Sequence, residues 1–306
     1  MANDDATTDP DETSTESQSA FPAPVWSHGE PNVAGATHVG VVRTVNQDAF
    51  GRFDDPQRSE ILLVVADGLG GHRGGEVASR MAVDRLGEFV LQGKGDGATR
   101  LEQAIHHAND AIFTTSRKNH SLDGMGTTVV CLLLAEDGPS TVAHVGDSRL
   151  YRLRREAIDQ LTEDHSLVAN LVREGALSPE EARKDPRRNQ ILRALGVRED
   201  VEVDLAAIEL EQGDAYLLCS DGLHGMIEDG AIAELVRSVA RPESAVEQLI
   251  AAANEAGGTD NVTCVLAKIP QPIGDPGLLD KASALLDSTR AVFKRRANAD
   301  GAREED

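Results

Sequence analysis

Short apolar runs, each long enough for one β-strand, constrain the fold of this chain more than any other feature. They are rich in β-branched and aliphatic residues and are bounded by turn-forming residues, which is typical of buried strands. The runs occupy residues 61–66, 127–134, 141–145, 216–219 and 262–269. The sequence therefore predicts a core built on β-sheet.

Helical periodicity is found mainly between the first two runs. Two stretches there, beginning near Val77 and Leu101, carry apolar residues at close to helical spacing and predict two amphipathic helices. A third helix is predicted from Pro242 to the Gly257-Gly258 pair, since proline suits the first helical turn and glycine ends a helix. This order lacks the regular alternation of a doubly wound sheet and favours a two-sheet sandwich with helices packed outside.

Acidic residues stand at the ends of the predicted strands. Asp67, Asp147 and Asp221 each follow an apolar run, and Asp260 precedes the last one. If the strands next to Asp221 and Asp260 are antiparallel, both carboxylates fall at one end of the sandwich, beside Asp67. Clustered carboxylates without His or Cys favour Mg²⁺ or Mn²⁺ over zinc. The alternative for each aspartate taken singly is a turn former or a helix cap.

The glycine-rich stretch over residues 68–75 does not match a nucleotide-binding loop, because it contains neither GxGxxG nor GxxxxGK[ST]. Glycine instead permits a close approach of the backbone, so the carbonyl of Gly68 could bind a cation next to the Asp67 carboxylate. Both oxygen ligands would then come from one turn.

The net charge of the chain limits the classes of partner that it can bind. Its 52 acidic and 30 basic residues give a formal charge of −22, which repels nucleic acid and anionic lipid.

Three cysteines lie inside apolar runs without the spacing of a zinc site or a disulfide framework, and this predicts a reducing compartment. The sequence shows neither a stretch of roughly 20 apolar residues, as a transmembrane helix requires, nor a signal-peptide pattern. We therefore expect a soluble, cytoplasmic protein.

Composition also predicts the domain organisation. Residues 1–28 are rich in Asp, Thr, Ser, Glu and Pro and are expected to form a disordered acidic tail. A single catalytic domain is expected over residues 29–270. A Pro/Gly cluster follows, and residues 271–306 are expected to be a linker and an amphipathic, charged tail that could dock on a partner or on the domain.

Eight segments occur in an order that is typical of one enzyme family: VVRTVNQDAF, VVADGLGGHRGGEVAS, GMGTTVV, AHVGDSRLYRL, LTEDHSLV, NQILRALG, LLCSDGLHGMI and GGTDNVTCVL. On these motifs the chain resembles the bacterial type 2C (PPM family) metal-dependent protein phosphatases over residues 35–269. The resemblance implies an α+β fold, a four-layer α-β-β-α sandwich of two antiparallel sheets flanked by helices. It also implies metal ions in a channel between the sheets.

The resemblance assigns metal ligands to matching positions. Asp67 would bridge two Mn²⁺ or Mg²⁺ ions, the Gly68 carbonyl would bind one of them, and Asp221 with Asp260 would bind the other. Asp147, together with Asp221, would hold a third and weaker ion. A water bridging the two ions would attack the phosphorus, so no phosphoenzyme intermediate is needed.

The resemblance also implies roles for two further residues in the same motifs. Asp48 would lie just outside the ligands and hold a metal-bound water. Arg43 would bind the phosphate, since a guanidinium can donate two parallel hydrogen bonds to its oxygens. The alternative for Arg43 is an ordinary surface arginine.

Two positions depart from the pattern of some relatives. Leu69 stands where some relatives outside the bacterial branch carry a histidine, so a metal-bound water is the preferred proton donor to the leaving group, with His72 as a substitute. Gly225 stands where some relatives carry a carboxylate that helps to hold the third ion. The third ion would therefore have one carboxylate fewer to hold it here than in those relatives.

Residues 165–193 resemble the flap segment of this family, and we use the name flap for them throughout. The sequence predicts two short helices there, around Gly175 and the Ser178-Pro179 pair. Because the protein is so acidic, we hypothesise that the basic residues of the flap dock phosphopeptides or acidic flanks near the channel. The alternative is a solvated helical face. The basic residues are Arg183, Lys184, Arg187 and Arg188.

The resemblance implies a serine/threonine protein phosphatase that acts on phosphorylated proteins as a monomer and opposes a bacterial Ser/Thr kinase. A catalytically silent phosphoprotein-binding scaffold would be marked by a lost metal ligand, whereas all the expected positions are filled. A further alternative keeps the metals but hydrolyses a small phosphoester, for which the long flap offers little reason.

Overall fold

The computed structural model describes residues 30–70 and 74–270, and its strands form two antiparallel sheets. The first sheet contains, in spatial order, β1 (Asn32–His38), β11 (Val262–Lys268), β10 (Ala215–Cys219), β7 (Arg149–Arg154) and β8 (Ala157–Gln160). The second contains β2 (Asp48–Asp55), β3 (Glu60–Leu69), β5 (Val129–Ala135), β6 (Ser140–Val145) and β9 (Asp204–Ile208). The short strand β4 (Gly126–Thr127) pairs with the end of β3.

Helices cover the outer face of each sheet. The second sheet packs against α1 (Gly74–Gln92) and α2 (Gly97–Lys118), and the first packs against α6 (Asp229–Ser238) and α7 (Pro242–Glu255). The predicted four-layer α-β-β-α sandwich is therefore confirmed. Three short helices surround a cavity at one end of the sandwich: α3 (Leu167–Arg173), α4 (Pro179–Lys184) and α5 (Asp221–His224).

Strand β3 shows why the apolar runs are continuous rather than alternating. The even-numbered residues of 61–66 pack with α1 and α2, whereas the odd-numbered ones pack between the sheets. Successive side chains of a strand point to opposite faces, and both faces are covered here. Every position of the run is therefore buried and selects an apolar residue.

Four of the five predicted apolar runs each lie in one strand, apart from Ile269 just past the end of β11, and α7 begins at the predicted Pro242. The run 127–134 differs from its prediction, because it is divided between β4 and β5 at Thr128. There a side-chain hydroxyl, Thr128 Oγ1, accepts the Asp67 N–H at 3.0 Å, so the regular pairing of main-chain groups is interrupted.

The two predicted tails lie outside the described residues, as does His72. Within the described ranges, no helix is both long and apolar enough to cross a membrane.

Candidate active site

Five aspartates meet at one end of the sandwich, and we call them the aspartate cluster. Asp67 of β3 lies directly opposite Asp48 of β2 in the strand register. Asp221 follows β10 and Asp260 precedes β11, and because these two strands are antiparallel neighbours, both residues lie at the same end of the first sheet. Asp147 lies in the turn between β6 and β7. The strand ends thus bring all five carboxyl groups together.

Burial and mutual repulsion raise the pKa of four of these carboxyl groups, those of Asp48, Asp67, Asp147 and Asp221. Burial is the larger cause for Asp67 and Asp147, and with the charges of neighbouring aspartates it holds both pKa values well above the usual range. Burial and the charge of Asp260 raise the pKa of Asp221 to about 6. Among the described side chains, three buried carboxylate oxygens have no hydrogen-bond partner: Asp48 Oδ1, Asp147 Oδ1 and Asp221 Oδ1. Such oxygens are costly to bury, so the cluster fits divalent cations that prefer oxygen ligands.

Asp48 connects the two sheets at the cluster. Its Oδ2 accepts hydrogen bonds from the hydroxyls of Ser220 (2.8 Å) and Thr263 (2.7 Å), which belong to the end of the opposite sheet. Burial raises the pKa of Asp48 to about 7, although these hydrogen bonds act against it. The sequence patterns did not single out Ser220 or Thr263, although Ser220 directly precedes Asp221.

The main chain of Asp67 and Gly68 is fixed by neighbouring segments. The Asp67 N–H donates to Thr128 Oγ1 at 3.0 Å, and the Gly68 N–H donates to the carbonyl of Gln47 at 3.1 Å. A Cβ on Gly68 would lie only 2.1 Å from the carbonyl oxygen of Gly75. Glycine is therefore required here, because the start of α1 approaches the backbone too closely for any side chain.

Arg43 lies on the loop between β1 and β2, with 50% of its side chain exposed. Its Nη2 donates to Asp260 Oδ2 at 2.8 Å. Asn261 holds the loop in place, because its Nδ2 donates to the carbonyls of Val39 (2.9 Å) and Val45 (3.0 Å). The guanidinium therefore reaches one edge of the aspartate cluster. The sequence patterns did not single out Asn261.

A cavity of about 410 Å³ lies between the flap and α5. Its lining includes Asp147, Asp221 and Asp260 together with the apolar side chains of Val168 and Met226. The side of the aspartate cluster formed by these three residues is therefore open to a ligand much larger than water.

The basic residues of the flap differ in their surroundings. Arg183 and Arg188 line the cavity, whereas Lys184 and Arg187 lie outside its lining. Arg187 donates hydrogen bonds to the carboxylate of Asp185 at 2.8 and 2.9 Å, which neutralises its charge locally. Only part of the predicted basic group is thus placed near the cluster.

The two departures from the family pattern both lie near the aspartate cluster. Leu69 is the last residue of β3 and pairs with Gly126 of β4. Gly225 follows α5 and lines the cavity, and a Cβ there would lie 2.7 Å from the carbonyl oxygen of Asp221. Neither position supplies a titratable group to the cluster.

A second group of potential metal ligands lies where the flap begins and ends. Ligand atoms of His144, His165 and Asp204 lie within 4.8 Å of one another. Because His165 Nδ1 accepts the Gly146 N–H at 3.0 Å, the neutral ring carries its proton on Nε2, 3.3 Å from Asp204 Oδ2. Arg193 Nη1 donates to Asp204 Oδ1 at 2.6 Å. We call His144, His165, Arg193 and Asp204 the flap base. In this group the Arg193 guanidinium already balances the negative charge of Asp204.

Comparison with known proteins finds one family. The family described as protein phosphatase 2C matches residues 34–267. The chain is 40% identical over 237 residues to the serine/threonine phosphatase stp of Listeria innocua, an alignment that covers 76% of this chain and 93% of that protein. It is 37% identical over 239 residues to the protein phosphatase PhpP of Streptococcus pneumoniae, with 76% and 95% covered.

Solved structures agree with the sequence comparison. The serine/threonine phosphatase PstP/Ppp of Mycobacterium tuberculosis superposes with a TM-score of 0.72 at 37% identity, covering 79% of this chain and 99% of that one. The catalytic domain of the serine/threonine protein phosphatase PstP in complex with two manganese ions superposes with a TM-score of 0.69 at 34% identity, again covering 79% and 99%. The resemblance drawn from the sequence motifs is therefore confirmed.

Proposed function

We propose that this chain, which belongs to the protein phosphatase 2C family and is a serine/threonine protein phosphatase, removes phosphate by direct attack of water and forms no phosphoenzyme. The observation that carries the proposal is the aspartate cluster, in which raised pKa values accompany buried oxygens without partners. This excess of negative charge favours the binding of cations from outside the chain.

Two divalent cations would balance that charge. Asp67 would contact both, the Gly68 carbonyl would contact one, and Asp221 with Asp260 would contact the other. When bound, such ions lower the pKa of an attacking water and offset the charge of the phosphoryl oxygens. Mn²⁺ and Mg²⁺ both prefer oxygen ligands, and the related PstP structure holds two manganese ions. Asp147, with Asp221, would hold a third and weaker ion.

Direct attack by water is supported by the state of the side chains that could otherwise act as nucleophiles. Cys131, Cys219 and Cys264 are fully buried, and burial raises the pKa of each thiol, so none is a reactive thiolate. The hydroxyl of Ser220 is also fully buried and donates to Asp48. Cation-assisted hydrolysis is the reaction class that this set of residues supports.

Arg43 would bind the phosphate of the substrate. Its guanidinium is half exposed and pairs with Asp260, so it can turn towards a ligand that enters from solvent. With Asp260 engaged as a cation ligand, the phosphate would be the stronger partner for the guanidinium fork. Asp48, oriented by Ser220 and Thr263, would offer its Oδ1 to a water next to the ions.

The substrate would be a phosphorylated protein that lies along the flap. Arg183 and Arg188 line the cavity next to the aspartate cluster, and we assign them the docking of acidic flanks. Arg187 contributes less to this role because Asp185 neutralises it, and Lys184 lies away from the cavity.

The biological setting is part of the same proposal. We infer a cytoplasmic monomer with a catalytic domain over residues 29–270 that reverses phosphorylation by Ser/Thr kinases. The leaving alkoxide must receive a proton, and Leu69 offers none, so a water in the site would donate it.

Hydrolysis of a phosphothreonine peptide, with and without Mn²⁺, tests the proposal. Wild type and Asp67→Asn are taken from the same metal-stripped preparation, and we expect Mn²⁺-dependent turnover only in the wild type. A folded wild type that binds the peptide but does not hydrolyse it with Mn²⁺ or Mg²⁺ would indicate a scaffold. Faster turnover of sugar phosphates than of phosphopeptides would indicate a small-molecule phosphatase.

A further inference from the structure

The turn over residues 146–148, which we call the Asp147 turn, is held from two sides. His165, at the start of the flap, accepts the Gly146 N–H on Nδ1 at 3.0 Å, and its own N–H donates to the Gly146 carbonyl at 2.9 Å. On the other side, His224 Nε2 lies 3.0 Å from the carbonyl oxygen of Asp147 and is placed to donate to it. Two imidazoles therefore fix the main chain next to the Asp147 carboxyl group.

The Asp147 turn also packs against the group that supports Asp67. Gly146 has a φ of +112°, and a Cβ there would lie 2.6 Å from the side chain of Thr128, so only glycine fits. Thr128 Oγ1 accepts the Asp67 N–H and lies 2.7 Å from Ser148 Oγ. A shift of the turn would thus disturb Asp67 as well as Asp147.

The other side of the His165 ring belongs to the flap base. Leu192, near the far end of the flap, donates its N–H to the His165 carbonyl at 2.8 Å. Arg193 follows and pairs with Asp204, which lies 3.3 Å from His165 Nε2. One buried side chain therefore contacts both a turn that carries a candidate ligand and the two ends of the flap.

We propose that His165 is a positioning residue that couples the order of the flap to cation binding at Asp147. The inference rests on the proposed function, in which Asp147 and Asp221 hold the weaker ion. Nδ1 sets the main chain of the Asp147 turn, and Nε2 lies 3.1 Å from Arg193 Nη1 and 3.3 Å from Asp204 Oδ2, which ties the ring to the flap base. Because the two nitrogens have separate partners, their tasks can be tested separately.

Coupling of this kind acts in both directions. A cation that fixes Asp147 also fixes the His165 ring and, through it, the flap base. A flap that is ordered by substrate increases the affinity for the cation by the same factor. The order of the flap can be measured with trypsin, because its basic residues Arg183, Lys184, Arg187 and Arg188 are exposed.

The test combines calorimetric titration of the full chain with Mn²⁺, without substrate, and tryptic cleavage of the flap. His165→Gln keeps a polar group near the position of Nε2 but leaves the Gly146 N–H without its acceptor. His165→Asn keeps an acceptor near the position of Nδ1 and is the matched control. Asp147→Asn identifies the binding step that belongs to Asp147, and circular dichroism establishes that each variant is folded.

We expect His165→Gln to weaken that binding step about tenfold, the scale observed when a group that orients a metal ligand is lost. His165→Asn keeps an acceptor for the Gly146 N–H and should weaken the step less than His165→Gln does. Mn²⁺ should slow tryptic cleavage of the flap in the wild type but in neither variant, because His165→Asn lacks the Nε2 contact with the flap base and His165→Gln lacks the Nδ1 contact with the Asp147 turn.

Wild-type Mn²⁺ affinity in His165→Gln, when Asp147→Asn has lost the step, would overturn the role of His165 and leave the proposed function intact. An unchanged titration in Asp147→Asn would refute the assignment of Asp147 and this inference with it. If His165→Gln does not fold, Arg193→Gln is used instead to disrupt the flap base. The coupling then requires that this variant speed tryptic cleavage of the flap and also weaken the Mn²⁺ binding step assigned to Asp147. Faster cleavage with unchanged Mn²⁺ affinity would then exclude the coupling.

Discussion

The aspartate cluster and the flap base both gather potential metal ligands, yet they differ in how their charge is balanced. In the flap base, Arg193 donates to Asp204 at 2.6 Å and to Glu202 at 2.8 Å. Burial would raise the pKa of Asp204, but hydrogen bonds from Arg193 and His165 lower it below the usual value. In the aspartate cluster, burial and repulsion hold the pKa of Asp67 well above that value. The first group contains its own counter-ion, whereas the second has only the half-exposed Arg43, which pairs with Asp260 at its edge.

Proximity of ligand atoms therefore does not by itself identify a cation site. His165 uses Nδ1 to accept a main-chain N–H, which leaves its Nε2 protonated and unable to bind a metal ion, and the guanidinium of Arg193 occupies the side of Asp204. In the aspartate cluster, buried oxygens of Asp147 and Asp221 have no partner among the described residues. Unbalanced charge, rather than the number of ligand types, distinguishes the two groups.

Replacing Asp67 with Asn should have the largest effect on activity, because it removes the side chain assigned to both ions. We expect the Mn²⁺-dependent kcat for a phosphothreonine peptide to fall by at least about 10²-fold, the scale for losing one group that stabilises a transition state. In EDTA the variant should melt at a higher temperature than the wild type, since one buried charge has left a repelling cluster. A lower melting temperature in EDTA would contradict the charge argument.

Addition of Mn²⁺ should stabilise the protein through the aspartate cluster alone. An ion that binds only the folded state adds about 2.7 kcal/mol at about 100 times its dissociation constant. For a domain of this size we expect the melting temperature to rise by at least about 5 °C in the wild type. Asp67→Asn should lose most of the rise, whereas His144→Ala, which removes a potential ligand of the flap base, should keep most of it. Loss of most of the rise in His144→Ala as well would contradict the assignment of the ions to the aspartate cluster.

The exchange of Asp for Asn should have the opposite sign in the flap base. Asp204→Asn weakens the pairing with Arg193 and should lower the free energy of unfolding by about 1 kcal/mol, since the pair is partly exposed and screened by solvent. The folded-state pKa of Asp204 is lowered, so its stabilisation is present above the unfolded-state pKa and is lost as the pH falls. Urea unfolding in EDTA should show a larger cost at about pH 7 than at about pH 4. A more stable Asp204→Asn would contradict the conclusion that the charge of Asp204 is balanced within the flap base.

Most of the architecture could be predicted because the patterns that produce it are local. The central strands are covered on both faces and read as apolar runs, and α7 begins at the predicted Pro242. The strands without a predictive pattern include all four at the sheet edges, which are β1, β8, β2 and β9. In β2, with the sequence DAFGRFDD, the only buried residues are the aspartates at its two ends, Asp48 and Asp55. An edge strand of this kind produces no apolar run.

The candidate site could be predicted only in part, because its supports join distant segments of the chain. The ligand candidates were found since each aspartate borders a strand. Asp48 and Ser220, in contrast, are 172 residues apart, and Gln47 donates its N–H to Asn261 across 214 residues. A single sequence carries no local signal for such a hydrogen bond, so the residues that orient the ligands emerge only from the fold.

The difference between balanced and unbalanced charge is found again, at a smaller scale, on the flap. Arg187 donates two hydrogen bonds to Asp185, whereas Arg188 lines the cavity, and its charge lowers the pKa of Asp221 against the larger effect of burial. A phosphopeptide with acidic flanks should therefore be attracted by Arg188 more than by Arg187.

Arg188→Gln should raise the KM for such a peptide about 2–5-fold with little change in kcat, because an exposed charge pair contributes less than about 1 kcal/mol. Arg187→Gln is the matched control and should leave KM unchanged, since the charge it removes is already neutralised by Asp185. Steady-state kinetics with acidic and neutral flanking sequences separates the two variants. Equal increases in KM would mean that the flap attracts substrate through its total charge, and that the pairing of each arginine has no effect on binding.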